Sequence, residues 1–242
     1  MDIKKITKNL LFIDIETAST EPSFDLLSER FQKLWKHKAS FLKNEQNLSP
    51  EELYFDRAAI YAEFGKIIVI GVGFFYWNEE GDLCLKTKTL AAETEKELLL
   101  NFKKLLEERF NRKDSAFCAH NGKEFDFPYI CRRMLINGIE LPKVLDVSGK
   151  KPWEVPYYDT LELWKFGDKK QFTSLEMLAA LFNIESSKNE MSGDQVNKVY
   201  YNEKNLGKIR EYCLEDVVAL AQIFLKLNAQ SCVENSNIER ID

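Results

Sequence analysis

The chain has 242 residues, of which 45% are hydrophobic, 12% aromatic and 30% charged, a balance that excludes disorder as the dominant state. Lys and Arg number 34 against 39 Asp and Glu, a net charge of −5. This argues against a surface that wraps nucleic acid along its whole backbone, while leaving room for a local basic groove.

At this length one core buries roughly 70–75% of the unfolded surface, so a single domain over residues 1–228 is expected, followed by a polar, frayed tail at 229–242. Cys84, Cys118, Cys131, Cys213 and Cys232 form no CxxC pair, and only His37 and His120 could join them, so a structural zinc site is not expected. The thiols read as reduced and mostly buried in a cytoplasmic protein. The opening residues hold only a short apolar run, Leu10 to Ile13, that ends in an acid; neither a signal peptide nor a membrane span is expected there.

Leu10 to Glu16 is β-prone and apolar apart from its two acids, with Thr17, Ala18 and Ser19 suited to closing the strand. Phe24 to Leu42 reads as helical and is rich in Lys and aromatics; Ser49-Pro50-Glu51-Glu52 is a capping box that starts a second helix through about Phe64. Residues 20–64 therefore form a helical insertion between the first two strands. Lys66 to Trp77, apolar on both faces, predicts a central strand, and Leu83 to Thr89 returns beside it after turn chemistry at 78–82.

A helix follows over Thr94 to Arg109, then a short strand over Ser115 to Ala119 and a helix over Phe127 to Asn137 stopped by Gly138. Tyr157 to Leu163 fits a fifth strand or a strand running into a helix. Ser174 caps a helix to Phe182, and Leu206 to Leu227 is a long final helix. The expected fold is α/β, a mixed five-stranded sheet flanked by helices.

Asp14 and Glu16 stand two apart on a strand, so both carboxylates project from one face. Two like charges there stay ionised if a divalent cation balances them, and hard oxygen donors suit magnesium or manganese. The plainer reading is a strand that ends in two solvated acids. In Ala119-His120-Asn121-Gly122-Lys123-Glu124-Phe125-Asp126, the aspartate sits at a helix start, where the dipole favours a carboxylate. An ordinary strand-to-helix loop would look the same. Tyr212 and Asp216 share a helix face one turn apart, with Glu215 pointing elsewhere; a tyrosine at the core edge and a surface acid would also fit.

Taken together and in order, these segments resemble the DEDD superfamily of 3′-to-5′ exonucleases: Asp14-x-Glu16 matches its first motif, Asn121-x3-Phe125-Asp126 its second and Tyr212-x3-Asp216 its third. The tyrosine resembles that of the DEDDy branch, and Glu211 stands where the histidine branch would place His. Ile60 to Ile67 and Met191 to Val196 look similar to stand-alone bacterial exonucleases related to the family-B polymerase proofreading domain.

The resemblance implies a ribonuclease-H-like fold and two divalent metal ions, Mg2+ or Mn2+, held by Asp14, Glu16, Asp126 and Asp216. It implies Asp14 as the bridging ligand, Glu16 and Asp216 on the ion that carries the attacking water, and Asp126 on the leaving-group ion. Tyr212, with an ordinary pKa of about 10, would orient that water rather than act as a base. Thr17, Asn121 and Phe125 would contact the terminal nucleotide, although Phe125 equally fits the core.

The expected substrate is single-stranded DNA or a frayed 3′ end, released as nucleoside 5′-monophosphates. RNA is the close alternative, and a catalytically silent binding or scaffold module is the alternative of another class. A polymerase or repair partner would act in trans. Lys33, Lys36, Lys38 and Lys43, with Trp35 and Phe41 between them, are candidate strand contacts, as are Arg132-Arg133 and Lys169-Lys170. Subtracting the four acids leaves 34 cationic against 35 acidic residues, so binding is expected to be short in footprint and dependent on the ions.

Overall fold

The computed structural model describes residues 7–168, 172–185 and 191–241. Six strands form one mixed sheet in the order β5-β4-β1-β2-β3-β6. The central strand β1 (Leu10–Ser19) is antiparallel to β2 (Gly65–Trp77) and parallel to β4 (Ala116–Ala119). β2 and β3 (Leu83–Leu90) make the expected hairpin, and β5 (Tyr157–Asp159) lies parallel to β4. Tyr157 to Leu163 resolves as a strand running into a helix, α5 (Thr160–Lys165).

Alternation along β1 sorts its side chains between two layers. Leu11, Ile13 and Ile15 pack on α3 (Glu95–Arg109) and α4 (Asp126–Ile136), through Leu98, Phe102, Phe127 and Ile130. Leu10 and Phe12 pack on the long helix α7 (Leu206–Leu227), through Val217, Leu220 and Phe224. Asp14 and Glu16 continue this second row, so the fold points them at the N-terminal half of α7. α6 (Leu175–Leu181) carries the expected Ser174 cap and packs on α7 through Leu178 against Ile223.

Two expectations are corrected. The sheet has six strands rather than five, and the tail is not a frayed end: Ile238–Ile241 forms β6, parallel to β3. This strand is polar and is held by charge rather than by an apolar pattern. Glu239 accepts from Lys86 at 2.8 Å and is bonded to the Tyr76 hydroxyl, while Arg240 grips Glu215 of α7 with two bonds of 2.7 and 3.0 Å. β1 runs through Thr17 and Ala18 and closes at Ser19. A register break lets it do so, because Glu16 faces Val69 and Thr17 faces Ile67, leaving Ile68 as a bulge on β2.

The insertion between β1 and β2 is helical, as expected, with α1 (Glu29–Ala39) and α2 (Pro50–Arg57). The Ser49–Glu52 capping box is present, and α2 ends at Arg57 in a 3-10 turn over Ala58–Ile60 rather than continuing to Phe64. The insertion has its own core, in which Trp35, Tyr54, Leu53 and Phe64 are buried together.

Candidate active site

Glycine lets α7 approach the sheet closely enough to complete the site. Gly71 faces Asp14 across the β1–β2 ladder. A Cβ there would lie 2.8 Å from both Cys213 Sγ and Val217 Cγ2, and one at Gly73 would lie 2.7 Å from Val217 Cγ1. With hydrogen in both places, α7 settles directly on the strand. Cys213 Sγ then lies 3.3 Å from Asp14 Oδ2, and one ligand atom each from Asp14, Glu16 and Cys213 falls within 4.8 Å of the others. Tyr212 and Asp216, on either side of Cys213 along the same helix, flank that group, and both are buried.

Asp126 arrives from the opposite layer. Asn121 turns through the left-handed region, with φ of 60°, and the following residues wind into α4. Gly122 sits where a Cβ would lie 2.2 Å from that of Ala119 and 3.3 Å from Asp126 Oδ2, so no larger residue fits the turn. Asp126 Oδ1 accepts from the backbone N–H of Ile15 at 3.1 Å. Because Ile15 stands between Asp14 and Glu16, that one bond brings the second motif to the first.

The electrostatics record this convergence. Burial raises the Tyr212 phenol, and the negative charges of Asp216, Glu16 and Asp14 raise it further. The Cys213 thiol is likewise held up by burial and then by Asp14 and Glu16, so it stays protonated. Burial pushes Asp126 up to about 7, against the pull of the Ile15 N–H, with Asp159 adding to the rise.

Above these groups lies a cleft of about 890 Å³. Asp14, Glu16, Thr17, Phe125, Tyr212 and Asp216 line its floor. Leu42 to Gln46, Leu48, Arg57, Ile60 and Tyr61 of the insertion line its roof, and Asp194 and Asn197 its side. Asp126 lies beneath the floor, 4% exposed. Phe125 lines the cleft and also packs on the core. Asn121 lies outside the lining residues and contributes the turn that delivers Phe125 and Asp126.

Residues 60–236 match a family described as a predicted 3′-5′ exonuclease related to the exonuclease domain of PolB. The chain belongs to this family. Asp126, Tyr212 and Asp216 fall inside the matched span, and the strand carrying Asp14 and Glu16 precedes it. Among solved structures, the chain is similar to the family B DNA polymerase from the hyperthermophilic archaeon Pyrobaculum calidifontis. The TM-score is 0.54 at 15% identity, and the match covers 87% of this chain and 23% of that one. The likeness supports the fold, a helix-flanked mixed sheet of the ribonuclease-H-like exonuclease type.

Several residues of this exonuclease-family site escape sequence reasoning. Asp159 is 2% exposed and ties three backbone N–H groups together: Asn121 and Lys123 of the second motif, at 2.9 and 3.1 Å, and Leu161 at the start of α5, at 3.0 Å. Its only local signal is an Asp ahead of a short helix, the pattern of any N-cap. Asn197 is buried and accepts from the N–H and hydroxyl of Ser19, each at 3.0 Å, while donating to the Phe55 carbonyl at 2.8 Å.

The candidate strand contacts fare unevenly. Trp35 is fully buried and its indole N–H donates to the Pro50 carbonyl, so it is core rather than a stacking surface. Its apolar period marks the inner face of α1. Arg133 is buried in an ion pair with Glu95 and is likewise unavailable to a strand. Lys36 pairs with Glu51 and Lys38 covers the Tyr61 ring, and of the four lysines only Lys43 lines the cleft. Phe41 is exposed, as are Lys33 and Arg132. Lys169 and Lys170 lie outside the described residues.

Proposed function

We propose that the protein is a two-metal-ion 3′-5′ exonuclease of the DEDDy type, acting on single-stranded or frayed DNA ends and releasing nucleoside 5′-monophosphates. The observation that carries this reading is the convergence of Asp14, Glu16, Tyr212 and Asp216 on one cleft under the close seat of α7, with Asp126 buried beneath it and tied to β1 by the Ile15–Asp126 bond. The donor set suits Mg2+ or Mn2+. Its four carboxylates are hard oxygen ligands, and the negative potential that raises Tyr212 is what a divalent cation relieves. When bound, such ions supply an activated water and offset charge on the leaving oxygen.

The chain's own groups do the rest. Tyr212 stays protonated and donates its hydrogen bond, which makes it an orienting group rather than a base. The Ile15 N–H fixes the rotamer of Asp126. Thr17 and Phe125, on the cleft floor, contact the terminal nucleotide. The −5 net charge fits a protein that grips a strand end at an ion centre instead of coating a duplex. Among the described residues no helix is long and apolar enough to cross a membrane. A polymerase or repair enzyme acting in trans would generate the ends to be trimmed.

The test is to incubate 5′-labelled and 3′-labelled oligonucleotides, as DNA and as RNA, with Mg2+, Mn2+ or chelator, beside Asp14→Ala. A ladder shortening from the 3′ end, dependent on the ions and lost in the variant, is expected. Equal inertness of wild type and variant with both ions would refute the reading. Preference for RNA would reassign the substrate.

A further inference from the structure

We propose that the helical insertion is the strand-selecting wall of the active site, with Ile60 against the 3′-terminal base and Arg57 on a backbone phosphate upstream of it. This rests on the nuclease reading of the same cleft and adds to it the element that decides which ends enter.

A 45-residue insertion with its own core could have been an independent lobe. It is instead tied to all three motif-bearing parts of the molecule. The Tyr54 hydroxyl accepts from the Glu21 N–H at 3.1 Å and bonds Thr20 Oγ1 at 3.2 Å, just past β1. The Tyr129 hydroxyl, on the helix that begins with Asp126, donates to the Ala59 carbonyl at 2.8 Å. Asn197, before α7, bridges Phe55 to Ser19. Residues 54–60 are therefore fixed relative to the acids, as positioning of a substrate requires.

What this fixed segment presents is chosen for a nucleotide. Ile60 is 46% exposed at the cleft, an apolar surface set opposite a cluster of acids. Phe125 supplies a second apolar surface from the floor. An unstacked base needs such surfaces, the Phe125 ring for stacking and Ile60 for aliphatic contact. Arg57 also lines the cleft, and its ion pair among the described residues is with its exposed sequence neighbour Asp56 at 2.8 Å. A pair of that kind is worth little, so its guanidinium can exchange to a phosphate. At about 890 Å³, the cleft has room for a nucleotide.

Fluorescence anisotropy of a labelled single-stranded DNA oligonucleotide in Ca2+, over a range of salt, tests this on the intact chain. Ile60→Ala is expected to weaken binding about tenfold. Arg57→Ala should reduce the slope of log affinity against log salt by about 0.7, the single-strand value for one phosphate contact, with Arg57→Lys keeping the slope. Both side chains are exposed, and matched melting curves for the variants verify the fold. Unchanged affinity in Ile60→Ala together with an unchanged slope in Arg57→Ala would overturn the assignment. Wild type that binds with these dependences yet cleaves nothing in Mn2+ would sink the nuclease reading while upholding the wall.

Discussion

Two groups of buried or half-buried charged side chains in this molecule are built on opposite terms. On α3 and α4, Arg133 donates to both oxygens of Glu95 at 2.8 and 2.5 Å and to the Ala62 carbonyl at 2.9 Å. Glu95 also accepts from the Ile67 N–H and the Asn137 amide. Opposite charges meet there with their donors satisfied, which is how a protein buries ions for architecture. On β1 and α7, Asp14, Glu16 and Asp216 bring like charges together and, with burial, raise Tyr212, while burial on α4 leaves Asp126 near 7. The first group closes on itself, whereas the second leaves like charges facing one another, as the proposed cation site requires.

The sharpest break of that contrast is functional. Asp14→Ala and Asp216→Ala should each lower exonuclease turnover by at least about a thousandfold, roughly 4 kcal/mol in the barrier, while leaving the metal-free protein as stable as wild type or more so. Labelled-oligonucleotide kinetics and urea unfolding check the two halves. Arg133→Met should do the reverse, destabilising the fold by about 3–5 kcal/mol because it strands Glu95 as a lone buried charge; urea midpoints measure it. Loss of activity without loss of stability in Arg133→Met would erase the distinction.

A smaller effect belongs to Tyr212. Tyr212→Phe should lower kcat about tenfold, with Mn2+ binding retained in calorimetry; abolished ion binding would contradict an orienting role. The smallest effect is in pH. Asp126 keeps its proton in the folded protein up to about 7, well above the usual carboxylate range. Its contribution is therefore fully present below about pH 4 and lost as pH rises through 7. The metal-free protein should melt at lower temperature at pH 8 than at pH 5.5, the drop should shrink in Asp126→Asn, and added Mn2+ should reverse it.

The acids proposed as catalytic were legible in the sequence because each lies in a local pattern whose geometry is fixed by one element: two residues apart on a strand, one turn apart on a helix, or at a helix start. The core sheet was legible for the same reason. What escaped depends on partners distant in the chain. Asp159 and Asn197 act through backbone groups 36 and more residues away, and nothing beside them in sequence names those partners. β6 carries two charged residues in four, and Lys86, Tyr76 and Glu215 hold it in place. Trp35 and Arg133 were misjudged as strand contacts because a cation or an aromatic on an amphipathic helix shows its type, and only packing shows its direction.

Calorimetric titration of the metal-free protein with Mn2+, beside Asp14→Ala and Asp216→Ala, tests most directly whether the like-charged cluster is a cation site. Two ions bound per wild-type chain, with at least one lost in each variant, are predicted. Wild type that binds no Mn2+, or variants that bind it as wild type does, would contradict the account.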